Sequence, residues 1–411
     1  EHRCHSPYRG SRCGYDQRYK KHRDSRRQCD DRKEEQDNVR EEHCKQGYIK
    51  RHLFCNPDAY PKHSWKPYQI AMGKELYPLR FLPIPLRKPW GGTALAEKFG
   101  KKFSGAFSKD ELTGESWELV DMAGNVSVVS DGPLAGQTIS ALMKEYRERI
   151  AGAGVFGKCG TAFPLLIKFL NIEGKLSVQV HPDDEKAEER YGQKGKSEVW
   201  YVLDAAPDAR IYMGFNKQVT PEEFCDACKS GTADRLLNVI HPKAGDAIFI
   251  KPGTVHSAQG GIGLCEILAP SDLTLRLYDW GRELDPSTAR KMHLAEALDI
   301  IDFKKYDGSG FSPAAVSTKT NSVCIARCPQ FTVNHITLYN EMGASFEGKE
   351  RFAVYNCIKG EIVLRQSLSD GSQGWRCRLL PGDTVLLPAE CTGYVLDPVV
   401  PGSELLQSTL G

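Results

Sequence analysis

From Phe163 to Pro270 the chain breaks into six short apolar runs: FPLLIKFLNI, KLSVQVH, SEVWYVLD, ARIYMGF, DAIFIKP and LCEILAP, divided by glycine, proline and aspartate turns. This pattern predicts strands of an all-β barrel or jelly roll. In KLSVQVH the alternation is strict, with Leu176, Val178 and Val180 pointing one way and Ser177, Gln179 and His181 the other. An apolar face is an ordinary core face. A face that carries hydroxyl, amide and imidazole together implies a polar cavity.

The flanking sequence is mixed. Residues 136–152 predict a helix, because Leu142, Met143, Tyr146 and Ile150 form a stripe at helical spacing. A second helix is predicted to start near Pro286, and strand patterns resume from about Val323. GDAIFIKPGTVHSA at 245–258 is echoed by GDTVLLPAECTGYV at 382–395, which predicts two related β-sandwiches. The second copy lacks a histidine at the position of His256, so the chemistry is assigned to the first.

Residues 1–71 differ from the rest. Val39 is the only Val, Ile or Leu among the first 48 residues, too little apolar surface for a core, so the expectation is disorder. This segment carries six of the eleven histidines, five of the fourteen cysteines and a net charge of +6. Its acidic interruptions and irregular cysteine spacing argue against a nucleic-acid arm or metal finger. It is read as an extension foreign to the domain. The nine later cysteines include the CDAC at 225–228, which has no second CxxC and reads as part of a helix; reduced thiols in a cytoplasmic protein are expected. No apolar run approaches the ~20 residues needed to span a bilayer, so no membrane partner is expected.

Outside the extension there are five histidines, and two occupy patterned positions. His181 ends the strand described above, and His256 follows the turn KPGTVH. Between them Glu198 shares a strand face with Trp200 and Val202, where a carboxylate is costly unless paired or metal-bound. Gln179, His181, Glu198 and His256 thus offer an amide oxygen, two imidazoles and a carboxylate from three β segments. That set suits zinc or another borderline divalent ion.

Gly174 with KLSVQVHP, Glu198 and GDAIFIKPGTVH together resemble the two motifs of the cupin superfamily, with Gln179 in place of the usual first histidine. With GKSEVWYVL, PGTVHSAQGGIGLCEI, SDLTLRLYDWGR, the PWGG at 89–92 and the GESWEL at 114–119, the chain resembles the type I phosphomannose isomerases in their short bacterial form. The resemblance implies a mainly β fold: a cupin jelly roll, or double-stranded β-helix, with a few helices over 72–310, and a degenerate cupin-like β-sandwich over 311–411. It implies one Zn2+ per chain, held by Gln179, His181, Glu198 and His256, with Glu266, Arg276 and Arg282 facing the same cleft. The longer members carry a lysine where this chain has Arg282, so that lysine's role does not transfer.

The implied reaction interconverts mannose 6-phosphate and fructose 6-phosphate through an enediolate. It requires a base for a carbon-bound proton, and Glu266, between Leu264 and Leu268 on one strand face, is the first candidate. Arg276, flanked by Leu275 and Leu277, is the second catalytic candidate, as an anion clamp or as the partner of Asp272 or Asp279. Lys196, Ser177 and Arg282 are candidate substrate contacts, and Trp90, Trp200 and Trp280 are candidate pocket walls or core. The expected partner is a small sugar phosphate, without nucleic acid, and the expected assembly a monomer or weak homodimer. A non-catalytic sugar-phosphate sensor and a metal-dependent cupin dioxygenase are the rival readings.

Overall fold

The period-two segments are strands in the computed structural model, which describes residues 75–101, 103, 112–344, 350–367 and 373–410. The extension expected to be disordered, residues 1–71, lies outside them. Fourteen strands come first: β1 Ile84–Gly92, β2 Thr113–Leu119, β3 Asp121–Met122, β4 Asn125–Val126, β5 Leu166–Ile172, β6 Val178–Val180, β7 Glu198–Ala205, β8 Arg210–Phe215, β9 Leu237–Ile240, β10 Ala247–Ile250, β11 His256–Gln259, β12 Ile262–Leu268, β13 Leu275–Tyr278 and β14 Phe311–Ser312. Apart from the β3–β4 hairpin they build two antiparallel sheets. One has seven strands in the order β1-β2-β5-β12-β7-β10-β14, the other five in the order β13-β6-β11-β8-β9.

The alternation in KLSVQVH is resolved as the sequence requires. Val178 and Val180 pack outward against Tyr212, Phe215, Leu275 and Leu277, and this face is covered by Phe224 and Cys228 of the helix Pro221–Lys229 and by Ala297, Ile300 and Ile301. Each such side chain contributes roughly 1.5–3 kcal/mol of burial. Between the sheets, Ile211, Met213 and Ala258 meet Trp200, Val202, Ile248 and Leu264. The interior therefore has an apolar plug, and the polar face of β6 lies beside it.

A second pair of sheets follows: β15 Asn321–Arg327, β16 Thr332–Leu338, β17 Met342–Ala344, β18 Ala353–Lys359, β19 Ile362–Ser367, β20 Gln373–Leu379, β21 Thr384–Leu387, β22 Tyr394–Pro398 and β23 Ser403–Thr409. Their orders are β15-β16-β23-β18-β21 and β17-β22-β19-β20. One hydrophobic cluster runs from Leu119 and Ile167 of the first pair into Val354 and Leu405 of the second. β14 pairs with β10, so Phe311 and Ser312 still belong to the first pair.

The helical regions depart from expectation. Residues 136–152 hold two short helices, Ile139–Tyr146 and Glu148–Ala151, followed by Ala153–Cys159. The breaks fall at Arg147 and Gly152, whose φ angles are 47° and 85° and cannot continue a right-handed helix. The helix expected from Pro286 begins instead at Leu294. The Asp285 carboxylate accepts from the backbone N–H and hydroxyl of Ser287 and closes a local turn that competes with helix there.

Candidate active site

Gln179 lies on β6, between β13 and β11 of the five-stranded sheet, opposite His256 on β11 and opposite Arg276 on β13. His181 follows β6 immediately, and its carbonyl accepts from the N–H of Gly253 in the turn KPGTVH at 2.9 Å. Gly253 has φ 83°, and a Cβ there would lie 3.0 Å from the Ile300 carbonyl oxygen, so glycine is needed for this turn to dock. Glu198 enters from the facing sheet as the first residue of β7.

His181, Glu198 and His256 are fully buried and present ligand atoms within 4.8 Å of one another. His181 Nε2 is 3.5 Å and His256 Nε2 3.3 Å from Glu198 Oε1. The Nδ1–H of His181 donates to the Leu273 carbonyl and that of His256 to the Thr254 carbonyl, each at 2.9 Å. Both Nε2 atoms therefore carry lone pairs aimed at the carboxylate. Burial, and next the Lys196 ammonium, depress His181 to about 3, which keeps its ring neutral. Burial alone would raise Glu198, but the Lys196 ammonium, its Nζ 2.9 Å from Oε2, holds the carboxyl well below its ordinary range.

His181 Nε2 and Glu198 Oε1 accept no hydrogen bond, while the other carboxylate oxygen, Oε2, faces the Lys196 ammonium. The imidazole nitrogens and Oε1 converge on one point as acceptors, an arrangement that fits a cation. Gln179 completes the set when its amide presents oxygen. As oriented, Nε2 donates to His256 Nε2 at 3.2 Å and Oε1 accepts from Ser177 Oγ at 3.1 Å. A half-turn about the Cγ–Cδ bond exchanges the two, with the Ser177 hydroxyl then accepting.

Beside this cluster is a cavity of about 210 Å³ lined by residues of both sheets, among them Trp90, Ser177, Gln179, Lys196, Trp200, Glu266, Asp272 and Arg276. Glu266 lies in a row of cross-strand neighbours, with Lys168 on β5 and Trp200 on β7. Trp200 Nε1 donates to Glu266 Oε1 at 2.9 Å, and Lys168 Nζ stands 3.4 Å from Oε2. Burial raises the Glu266 carboxyl, Lys168 lowers it and Glu198 raises it again, leaving it above its ordinary value. A carboxylate tuned upward at a cavity wall is suited to proton transfer.

The structure thus brings together eight of the nine sequence-predicted residues. Arg276 forms no ion pair with Asp272 or Asp279 among the described residues; its Nη1 donates to the Lys291 carbonyl at 2.9 Å. Arg282 does not line the cavity, being held by Asp279 and the Lys175 carbonyl. Trp280 likewise does not line it, whereas Trp90 and Trp200 do.

Four lining charges escaped the sequence reading: Lys88, Glu115, Lys168 and Arg290. Burial would raise Glu115, but Lys168 and Lys88 hold it at about 2. Lys168 carried a signal, a lone cation inside the apolar run FPLLIKFLNI. Overall, five cationic side chains against three carboxylates leave two positive charges in excess around the cavity.

A family model described as phosphomannose isomerase type I, catalytic domain, matches residues 83–216. The chain is 34% identical over 286 residues to mannose-6-phosphate isomerase ManA of Bacillus subtilis, covering 69% of this chain and 86% of that protein. It is 35% identical over 249 residues to the mannose-6-phosphate isomerase of Streptococcus mutans, covering 60% of this chain and 74% of that one. The crystal structure of a mannose 6-phosphate isomerase from Bacillus subtilis matches with a TM-score of 0.66 at 29% identity, over 81% of this chain and 99% of that chain. A structure described as a putative mannosephosphate isomerase from Archaeoglobus fulgidus shares the fold, with a TM-score of 0.62 at 19% identity over 82% and 99% of the two chains. These likenesses agree with the mainly β cupin fold expected from the sequence.

Proposed function

The chain belongs to the type I phosphomannose isomerase family, and on that premise we propose that it interconverts mannose 6-phosphate and fructose 6-phosphate as a zinc-dependent aldose-ketose isomerase. The observation that carries this reading is the buried His181–Glu198–His256 cluster beside a cationic cavity whose wall includes Gln179 and Glu266. Gln179, His181, Glu198 and His256 would hold one Zn2+ per chain, a set of nitrogen and oxygen donors suited to that ion. When bound, the ion supplies a Lewis acid for the two sugar oxygens between which hydrogen shifts.

The protein groups account for the rest. In the open-chain aldose, the Glu266 carboxylate takes the proton from C2, giving an enediolate, and returns it to C1, while the hydroxyl proton of O2 passes to O1. Glu266 ends as it began, so no co-reactant is needed. Trp200 Nε1 and Lys168 fix its two oxygens and keep the carboxyl from rotating away from the substrate. Lys196, buried against Glu198, balances the carboxylate and presents an ammonium to the cavity. Arg276 faces the cavity without a carboxylate partner, suited to the phosphate. Ser177 orients the Gln179 amide.

The nine described cysteines are free, as thiols are in a reducing compartment, and we propose a cytoplasmic location; separately, across the described residues no helix is long and apolar enough to cross a membrane. A coupled assay that follows fructose 6-phosphate formed from mannose 6-phosphate tests the function. Turnover should be lost on chelation and restored by Zn2+. Turnover that survives exhaustive chelation rejects the metal assignment, and no turnover with the metal present rejects the reaction.

A further inference from the structure

The cavity has an arginine that sequence reasoning passed over. Arg290 lines it, and Asp279 holds the Arg290 guanidinium from one side, with Nε 3.0 Å from Oδ2 and Nη2 2.6 Å from Oδ1. Asp279 is fully buried and also accepts from Arg282 Nη2 at 2.6 Å. One carboxylate thus serves two guanidinium groups. The backbone then fixes Arg290 next to Arg276. The Lys291 carbonyl accepts from Arg276 Nη1, the His293 ring accepts from the Arg276 N–H at 3.1 Å, and the Arg276 carbonyl accepts from the His293 N–H at 2.7 Å.

This arrangement holds positive charge in place without neutralising it. Among the described residues the Arg276 guanidinium has only the Lys291 carbonyl as partner, and its Nε is buried with none. Burial, and next the Arg290 cation, make the Arg276 cation harder to hold. Two guanidinium groups fastened side by side, with one carboxylate shared between Arg290 and Arg282, leave an excess of two positive charges. A phosphate monoester at neutral pH carries nearly two negative charges and the oxygens to bridge two forks.

We propose that Arg290 is a direct ligand of the substrate phosphate, clamping it together with Arg276, and that Asp279 braced by Arg282 is the positioning residue that aims Arg290 into the cavity. The inference deepens the isomerase reading and rests on it for the identity of the phosphate carrier. The neutral part of the sugar then extends from the two arginines towards Glu266 and the His181–Glu198–His256 cluster, along the lining that includes Ser177 and Gln179.

The test is calorimetric titration of the holoenzyme with inorganic phosphate, beside steady-state kinetics on mannose 6-phosphate, for wild type, Arg290→Gln and Arg290→Lys. Arg290→Gln should weaken phosphate binding and raise KM by about 10- to 100-fold while kcat stays within about twofold. Arg290→Lys keeps the charge but loses the planar fork, and should fall between the two. A purely structural role predicts instead a lowered Tm with the phosphate affinity of the folded fraction intact, and that result, or an unchanged KM in either variant, overturns the clamp. Wild type that binds phosphate through Arg290 but does not isomerise mannose 6-phosphate supports the clamp and overturns the isomerase reading alone.

Discussion

At Gly245–Asp246 and again at Gly382–Asp383 the chain turns through a glycine with φ near 90°, 95° in the first and 90° in the second. In both turns the aspartate carboxylate accepts from the backbone N–H three residues earlier, Lys243 or Leu380, at 2.8 Å. The strand that follows is β10 in one case, paired with β7, and β21 in the other, paired with β18. The likeness extends outward: β5-β12-β7-β10 and β6-β11-β8-β9 have the same relative order as β16-β23-β18-β21 and β17-β22-β19-β20. We read the second pair of sheets as a degenerate copy of the first. What differs is the interior. In the first, ligand atoms of two imidazoles and a carboxylate converge within 4.8 Å of one another. In the second, Tyr355 and Tyr394 hydroxyls meet at 2.6 Å across the sheets and Gln407 donates to Tyr355 at 2.7 Å. One framework is left needing a ligand, and the other closes on itself.

The largest expected break of this contrast is His256→Asn. Losing an imidazole from the cluster should lower kcat/KM by on the order of ten-thousandfold, the loss of several kcal/mol of Lewis-acid stabilisation. Zinc content measured on the purified variant should fall with it, and the rise in Tm that Zn2+ should give wild type should be absent. Full metal content with full activity would remove the first interior's claim to be a ligand site. Next in size is Glu266→Gln, which is close in shape but cannot take a proton. It should cut kcat by roughly 10²–10⁴ with little change in zinc content. An active variant would move the base elsewhere.

The pH profile sharpens the same point. Burial, opposed by the Lys168 ammonium, leaves the Glu266 carboxyl above its ordinary 4.5 in the folded protein, and in the proposed mechanism its ionised form is the base. Activity should therefore rise with pH through that raised pKa and be lost below it, on an acid limb displaced upward from an exposed glutamate. Because Lys168 pulls this pKa down, Lys168→Met should move the limb to higher pH; a limb that stays put disconnects Glu266 from it. Linkage runs the opposite way: the folded chain binds the proton more tightly, so Glu266 contributes stability below the ordinary 4.5 that is lost as pH rises through the raised value.

How much of this was legible in sequence depended on whether a signal was local. The period of two in KLSVQVH placed Gln179 and His181 on a cavity face, and GKSEVWYVL placed Glu198 beside Trp200, because strand alternation is a local rule. Arg282 and Arg290 show the limit. Both lie in an irregular stretch of turns where no period assigns a direction, and only the shared Asp279 decides which one faces the cavity. Lys168 and Glu115 acquire meaning from each other across β2 and β5, a pairing that depends on register between strands far apart in the chain. The helix expected over 136–152 broke where Arg147 took a left-handed backbone, a tertiary demand that an apolar stripe does not record.

The smallest expected effect tests the other half of the comparison. Tyr355→Phe removes one hydroxyl from the buried Tyr355–Tyr394 pair, and with it the oxygen to which the Gln407 amide donates. Losing a partner in a buried pair costs about 1–3 kcal/mol, so the midpoint of denaturant unfolding should fall. Leu119 and Ile167 share one core with Val354 and Leu405, so the loss should appear as a single shifted transition, not as separate melting of one pair of sheets. Activity and zinc content should stay at wild-type levels below that transition, the inverse of His256→Asn. If Tyr355→Phe instead lowers kcat without lowering stability, the second interior is not closed on itself but coupled to the chemistry of the first.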